Sequence, residues 1–165
     1  FEGSMPCVSS IGISAQWTEN EPVLPVEPKE GDYKAFLNGV SEDTCGFERE
    51  AVQEIIDEYV LYFELGQGLN ARLETDGREV GTSACMMSGP NFDCPLLETR
   101  TPNKDYDAII VQTVDAFGAW IAPEELNGTF QFSFDCEGSE CAEALKQSQT
   151  PYPIPCAVGF SFTGK

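Results

Sequence analysis

Thr129-Phe-Gln-Phe-Ser-Phe-Asp-Cys136 and Cys156-Ala-Val-Gly-Phe-Ser-Phe-Thr-Gly-Lys165 decide the fold of this chain. In the first run Phe130, Phe132, Phe134 and Cys136 alternate with polar residues. In the second, Cys156, Val158, Phe160 and Phe162 alternate with Ala157, Gly159, Ser161 and Thr163. A period of two is that of a strand with one face buried. Each run therefore sets a cysteine in line with a row of aromatics. Between them, Cys141-Ala-Glu-Ala-Leu145 is helix-forming but too short to stand without packing or a crosslink. The two runs predict Phe-lined strands joined by a stapled helical loop.

Working outward, the segments between 32 and 128 read mostly as further strands and turns. Tyr33 to Val40 is strand-like, with a turn expected at Ser41–Thr44 before Cys45. Phe47, Ala51, Val52, Ile55, Ile56 and Tyr59 recur at three and four, which predicts a short helix, and Tyr59–Leu65 is a strand. Asp76-Gly77 is a favoured two-residue hairpin turn, because both positions need positive φ; it would set Leu73 opposite Val80. A second hairpin centred on Ser88–Asn91 pairs Met87 with Phe92 and Cys85 with Cys94. Met86 and Met87 there read as a plug in the hairpin's apolar face. A long strand from Tyr106 to Ile121 is expected to break at Gly118, and Pro123–Gly128 is expected to turn. That turn would display Asn127 as a glycosylation sequon, Asn127-Gly-Thr129. Together these give a mainly β domain over 32–165, an antiparallel barrel or sandwich of about eight strands with one or two short helices. Closure of such a meander removes exposed edges.

Residues 1–31 read differently. Ile11, Ile13, Ala15 and Trp17 alternate with small and polar residues as in a strand. Glu19 to Gly31 carries Pro22, Pro25 and Pro28 among glutamates, the composition of a stiff, extended spacer. The chain thus divides into an N-terminal arm and a β domain.

The formal charge is −19, from 28 acidic and 9 basic residues with no histidine. Such a surface repels nucleic acid and anionic membranes, which excludes both as default partners. Without histidine, Ser-His-Asp and Cys-His catalysis and ordinary zinc sites are out of reach. No Asp/Asn run has calcium-loop spacing, no Gly-rich loop joins a strand to a helix, and no stretch suits a membrane span. Among the many carboxylates no pair stands out for glycoside hydrolysis; Asp135 points away from the Phe row. The expectation is a protein without cofactor or metal that is not an enzyme. Opening at Phe1 without an initiator Met suggests a processed product.

Seven cysteines without a Cys-x-x-Cys pair suggest disulfides in a secreted or cell-surface protein. Hairpin register joins Cys85 to Cys94. Cys141–Cys156 would close a short loop around the helix, and Cys45–Cys136 follows by remainder, with these two open to exchange. Cys7 is left over.

Several pieces resemble a recurrent secreted β-domain of bacterial, myxobacterial-type surface lipoproteins. They are Gly31-Asp-Tyr-Lys-Ala-Phe with Thr44-Cys-Gly-Phe47, the Cys85–Cys94 hairpin, and Cys136-Glu-Gly-Ser-Glu-Cys-Ala with Pro155-Cys-Ala-Val-Gly-Phe-Ser-Phe-Thr-Gly164. The resemblance covers residues 31–165 and implies an extracytoplasmic, lipocalin-like antiparallel barrel of uncharacterised role. It brings no active residues. The chain departs from the pattern at its start, where six residues precede Cys7 rather than an acylated cysteine leading the chain.

Two functions follow as expectations. The first is a structural subunit of an extracellular assembly, joined to copies of itself or another surface protein through its arm. Ile11, Ile13 and Trp17 would make the contact, and Cys7 could lock it. The second is a binding module in which Phe130, Phe132, Phe134, Val158, Phe160 and Phe162 line a calyx for a small apolar ligand. A rival to the first is an arm strand that folds back on its own barrel.

Overall fold

The computed structural model describes residues 26–148 and 153–165. The arm residues Cys7, Ile11, Ile13 and Trp17 lie outside the described residues. Nine antiparallel strands form one sheet: β1 Gly31–Asp43, β2 Tyr59–Leu65, β3 Leu69–Thr75, β4 Arg78–Ala84, β5 Met86–Ser88, β6 Asn91–Pro102, β7 Ile109–Ala122, β8 Glu125–Glu137 and β9 Cys156–Gly164. The spatial order is β4-β3-β2-β1-β9-β8-β7-β6-β5. Strands β4 and β6 come into contact, so the sheet curls into a nearly closed barrel. Helix α1 spans Arg49–Glu58 and α2 spans Cys141–Ser148.

The register defines two ends. At the first lie the start of β1, the β5–β6 and β7–β8 turns and the end of β9. At the second lie the β3–β4 turn, the end of β6 and both helices. Asp43 caps the turn before α1, its carboxylate accepting from the amides of Gly46 (2.8 Å) and Phe47 (2.9 Å). Phe47, Val52, Ile55 and Ile56 then pack against the core. Within α1, Val52 lies three residues from Ile55 and four from Ile56, which puts these three on one helix face.

The hairpins follow local chemistry with one exception. Asp76 and Gly77 have φ of 51° and 70°, as a two-residue hairpin turn of this hand requires. Yet Leu73 faces Gly81, not Val80, because a bulge shifts the register after Thr75–Arg78 and Glu74–Glu79. A Cβ at Gly81 would stand 2.8 Å from the carbonyl oxygen of Leu96 on β6. Only glycine lets β4 approach β6 there, and Val80 is turned outward. The second hairpin has the expected pairs, Met87 with Phe92 and Ser88 with Asn91. Met86 and Met87, however, are exposed rather than plugging anything.

Three further expectations change. β1 runs through the turn expected at Ser41–Thr44, using two bulges against β9. β7 begins at Ile109 and does not break at Gly118. The turn after it takes Pro123 and Glu124, so Asn127 stands exposed within β8, paired with Ala119 and Thr163.

The disulfides are Cys85–Cys94, Cys45–Cys156 and Cys136–Cys141. The first is as the hairpin register requires. The other two correct the expected Cys141–Cys156 and Cys45–Cys136. Cys45 follows β1 and Cys156 opens β9, which are barrel neighbours although 111 residues apart. Cys136 closes β8 and reaches the first residue of α2. Three such bonds fit an oxidising compartment.

Candidate interaction surface

The barrel interior is the first place to look for a site. Phe130, Phe160, Val158 and Phe162 are all but fully buried, Phe132 nearly so, and Phe134 is half-buried. The rings meet one another: Phe130–Phe132 at 4.9 Å between centroids, Phe132–Phe160 at 6.3 Å, and Tyr59 against Phe132 at 5.6 Å. Further along, Phe63 touches Phe92 at 5.2 Å and Phe162 at 5.7 Å. Among the described residues every fully buried side chain is apolar, apart from the unpartnered indole nitrogen of Trp120. Phe130, Phe132, Val158, Phe160 and Phe162 belong to the buried core, and the half-buried Phe134 packs against it.

The carboxylates lie outside this core. Asp135 is exposed and accepts from the amide of Cys136 at 2.7 Å. Asp107 accepts from both the amide (3.3 Å) and the hydroxyl (2.7 Å) of Ser139, which holds its carboxyl below the usual range. That contact ties the β6–β7 loop to the turn before α2. Burial pushes the Asp115 carboxyl upward on the flank of β7. Among the described residues no three His, Cys, Asp or Glu side chains gather as a metal site would need. No described helix is long and apolar enough to cross a membrane.

The arm is rooted at the first end of the barrel. Val26 packs against the core, and the amide of Lys29 donates to the carbonyl of Pro123 at 2.8 Å. The Tyr33 hydroxyl lies in donating reach of the Lys29 carbonyl and of the Pro123 carbonyl, 3.1 Å away. The Lys29 ammonium pairs with Glu124. That hydrogen bond raises the lysine's pKa and lowers the glutamate's. A cleft of about 700 Å³ opens here, lined by Lys29, Asp32, Tyr33, Pro123, Glu124 and Lys165.

On the outer wall next to the root, Tyr62 lies between Lys34 on β1 and Arg72 on β3, its direct cross-strand partners. The lysine nitrogen is 5.6 Å from the ring centre and the guanidinium carbon 4.7 Å. A groove of about 750 Å³ follows this row. A cation within about 6 Å of a ring centre is attracted by the negative face of the ring.

The barrel's wall is incomplete at one seam. β6 pairs with β7 from Asn91 to Pro102, but on its other side it pairs with β5 only over Asn91–Asp93. β4 pairs only with β3. The two strands meet where Gly81 approaches Leu96, and the Cys85–Cys94 bond crosses the seam near the first end. Beyond that contact no backbone hydrogen bond joins them among the described residues. Residues 97–102 of β6 are exposed at every position, and Val80 and Leu97 each leave over a third of their surface in water. Periodicity could not have revealed this edge, because an edge depends on which strands become neighbours.

No protein-family model, no curated protein and no solved structure matches this chain.

Proposed function

We propose that this protein is a non-catalytic, extracellular structural subunit, joined to copies of itself through its N-terminal arm into a surface assembly or filament. One observation carries the reading: the open seam leaves a long strand edge unpaired in a chain that also carries an amphipathic strand pattern over residues 8–17. Unpaired edges recruit strands, and added strands bind through main-chain hydrogen bonds. The stiff spacer before Gly31 gives that segment reach, and Cys7 supplies a thiol for a bond between subunits. Three disulfides and the acidic surface suit a secreted or cell-surface location.

The alternative, a lipocalin-like module for a small apolar ligand, is favoured less, because Phe130, Phe132, Phe160 and Phe162 pack against each other. Sedimentation of the full chain against a chain lacking residues 1–25 tests the proposal. Species larger than a monomer that vanish with the arm support it. A monomeric full chain across the accessible concentration range sinks it.

A further inference from the structure

We infer that the Cys136–Cys141 disulfide is a thiol-exchange site, opened by an uncharged dithiol while the barrel stays folded and the other two disulfides stay shut. The site lies at the second end of the barrel, away from the root of the arm.

The three bonds differ in what an attacking thiolate can reach. Exchange needs access to one sulfur and a second sulfur able to leave with negative charge. Cys45 and Cys156 are both buried, and Cys94 is fully buried within the barrel core. Cys85 is half-buried, but attack on its sulfur would expel the Cys94 thiolate into apolar surroundings, which disfavour it. Cys136 and Cys141 are both half-buried, with exposed residues on either side of them. Cys141 is the first residue of α2, and the amides of a helix's first turn favour an anion there. Of the three bonds, this one alone meets both needs.

The step moves two electrons and two protons from the dithiol to the protein. One thiolate of the reagent attacks the Cys136 sulfur; the S–S bond breaks, and Cys141 leaves with the electron pair and takes up a proton. The reagent's second thiol, as its thiolate, then attacks the reagent sulfur bound to Cys136. That expels the Cys136 thiolate, which is protonated in turn, and the reagent departs as a cyclic disulfide. Charge selects the reagent. Asp135, Glu137, Glu140 and Glu143 flank the two cysteines along the chain, and Arg100 is paired with Glu98 and Glu137. The remaining acidic field slows an anionic thiol and favours an uncharged one.

Opening is local, because the turn inside the disulfide loop has other ties. Ser139 donates to Asp107 from its amide and its hydroxyl, and the Glu140 amide donates to the Asp107 carbonyl at 3.1 Å. The Asp107 amide donates in return to the Glu140 carboxylate at 2.7 Å. Gly138, at φ 123°, lets the turn press on that loop, where a Cβ would stand 2.2 Å from the Asp107 carbonyl oxygen. Cys136 keeps its register with Ile110 on β7, and Ala144 of α2 is buried. The two thiols therefore stay near enough to reoxidise, while α2 loses the covalent hold on its first residue.

The test uses the folded full chain with its free thiols first blocked by N-ethylmaleimide. Dithiothreitol is then added, and timed samples are quenched with iodoacetamide and read by peptide mass spectrometry. Cys136 and Cys141 are expected to label together, about tenfold faster than Cys45, Cys85, Cys94 and Cys156. Equal or faster labelling of either other pair overturns the inference. Dihydrolipoate, a dithiol bearing a carboxylate, supplies the second arm. Relative to the rates of both reagents with a neutral model disulfide, it should open the bond more slowly at low salt, the gap closing as salt screens the acidic side chains. No gap, or one indifferent to salt, overturns the choice of an uncharged reagent. After selective opening, amide exchange should rise over Ala142–Leu145 and stay unchanged over Phe130–Phe134. A rise over both means that opening unfolds the barrel, which overturns a local site.

Discussion

Phe92 and Phe162 meet inside the barrel at 6.4 Å between ring centres, although two strands separate them in the wall. Phe92 pairs with Gly118, Gly118 with Gly128, and Gly128 with Phe162, a single row across β6, β7, β8 and β9. The two glycines stand between them in that row, and the tip of the Phe162 ring lies where a Cβ on Gly128 would be, 2.7 Å away. Phe63 closes on both from across the interior. Phe63, Phe92 and Phe162 thereby join the buried core.

Alanine at either glycine should therefore be costly. A Cβ on Gly118 would lie 2.0 Å from the Asn127 carbonyl oxygen, and one on Gly128 would lie 2.2 Å from that of Phe117 and 2.7 Å from the Phe162 ring. Backbone cannot yield as a side-chain tip can, so Gly118→Ala and Gly128→Ala should each lose about 2–3 kcal/mol in urea unfolding. Gly39→Ala, where a Cβ meets nothing within 4 Å, should stay within about 0.5 kcal/mol of the parent.

The disulfides should rank by the loop each closes. Cys45–Cys156 encloses 111 residues of separation, Cys85–Cys94 nine and Cys136–Cys141 five. Chain entropy then gives roughly 5, 2.7 and 2 kcal/mol for removing each pair by double alanine substitution. Unfolding midpoints in denaturant measure the order. A loss at Cys136–Cys141 as large as that at Cys45–Cys156 would contradict the loop argument.

The root of the arm should respond to pH through Glu124. Its hydrogen bond from Lys29 lowers the folded pKa below the unfolded one. The contact is therefore fully present above the unfolded value and is lost as pH falls through the lower, folded one. The lysine, raised by the same bond, contributes below its unfolded value and loses that contribution as pH rises through the folded one. A carboxyl-carbon NMR titration should place Glu124 below an ordinary glutamate, and Lys29→Met should return it to the usual range.

Tyr33→Phe should loosen the same root with little change elsewhere. It removes the hydroxyl facing the Lys29 and Pro123 carbonyls while keeping the ring packed edge-on against Trp120 at 5.8 Å. The expected cost is about 1 kcal/mol. Faster limited proteolysis between Val26 and Glu30, with cleavage inside the barrel unchanged, would mark the effect as local.

The alternation of Phe130–Phe134 and Val158–Phe162 determined by itself that these segments are strands with one buried face, because a period of two admits little else. Asp76-Gly77 likewise determined a hairpin turn, and the symmetric hairpin around Gly89-Pro90 determined the Cys85–Cys94 bond. These are short-range facts, settled by φ preferences and by side chains a few residues apart. What only the tertiary structure decided is which strands become neighbours. β1 lies beside β9, and that brought Cys45 to Cys156 and left Cys136 to Cys141. Contact between β4 and β6 put Gly81, not Val80, opposite Leu73, since a Cβ has no room against the Leu96 carbonyl. The same closure filled the Phe rows with each other and left one edge of β6 unpaired. Period and propensity describe a strand's two faces; its two edges are settled only when the barrel closes.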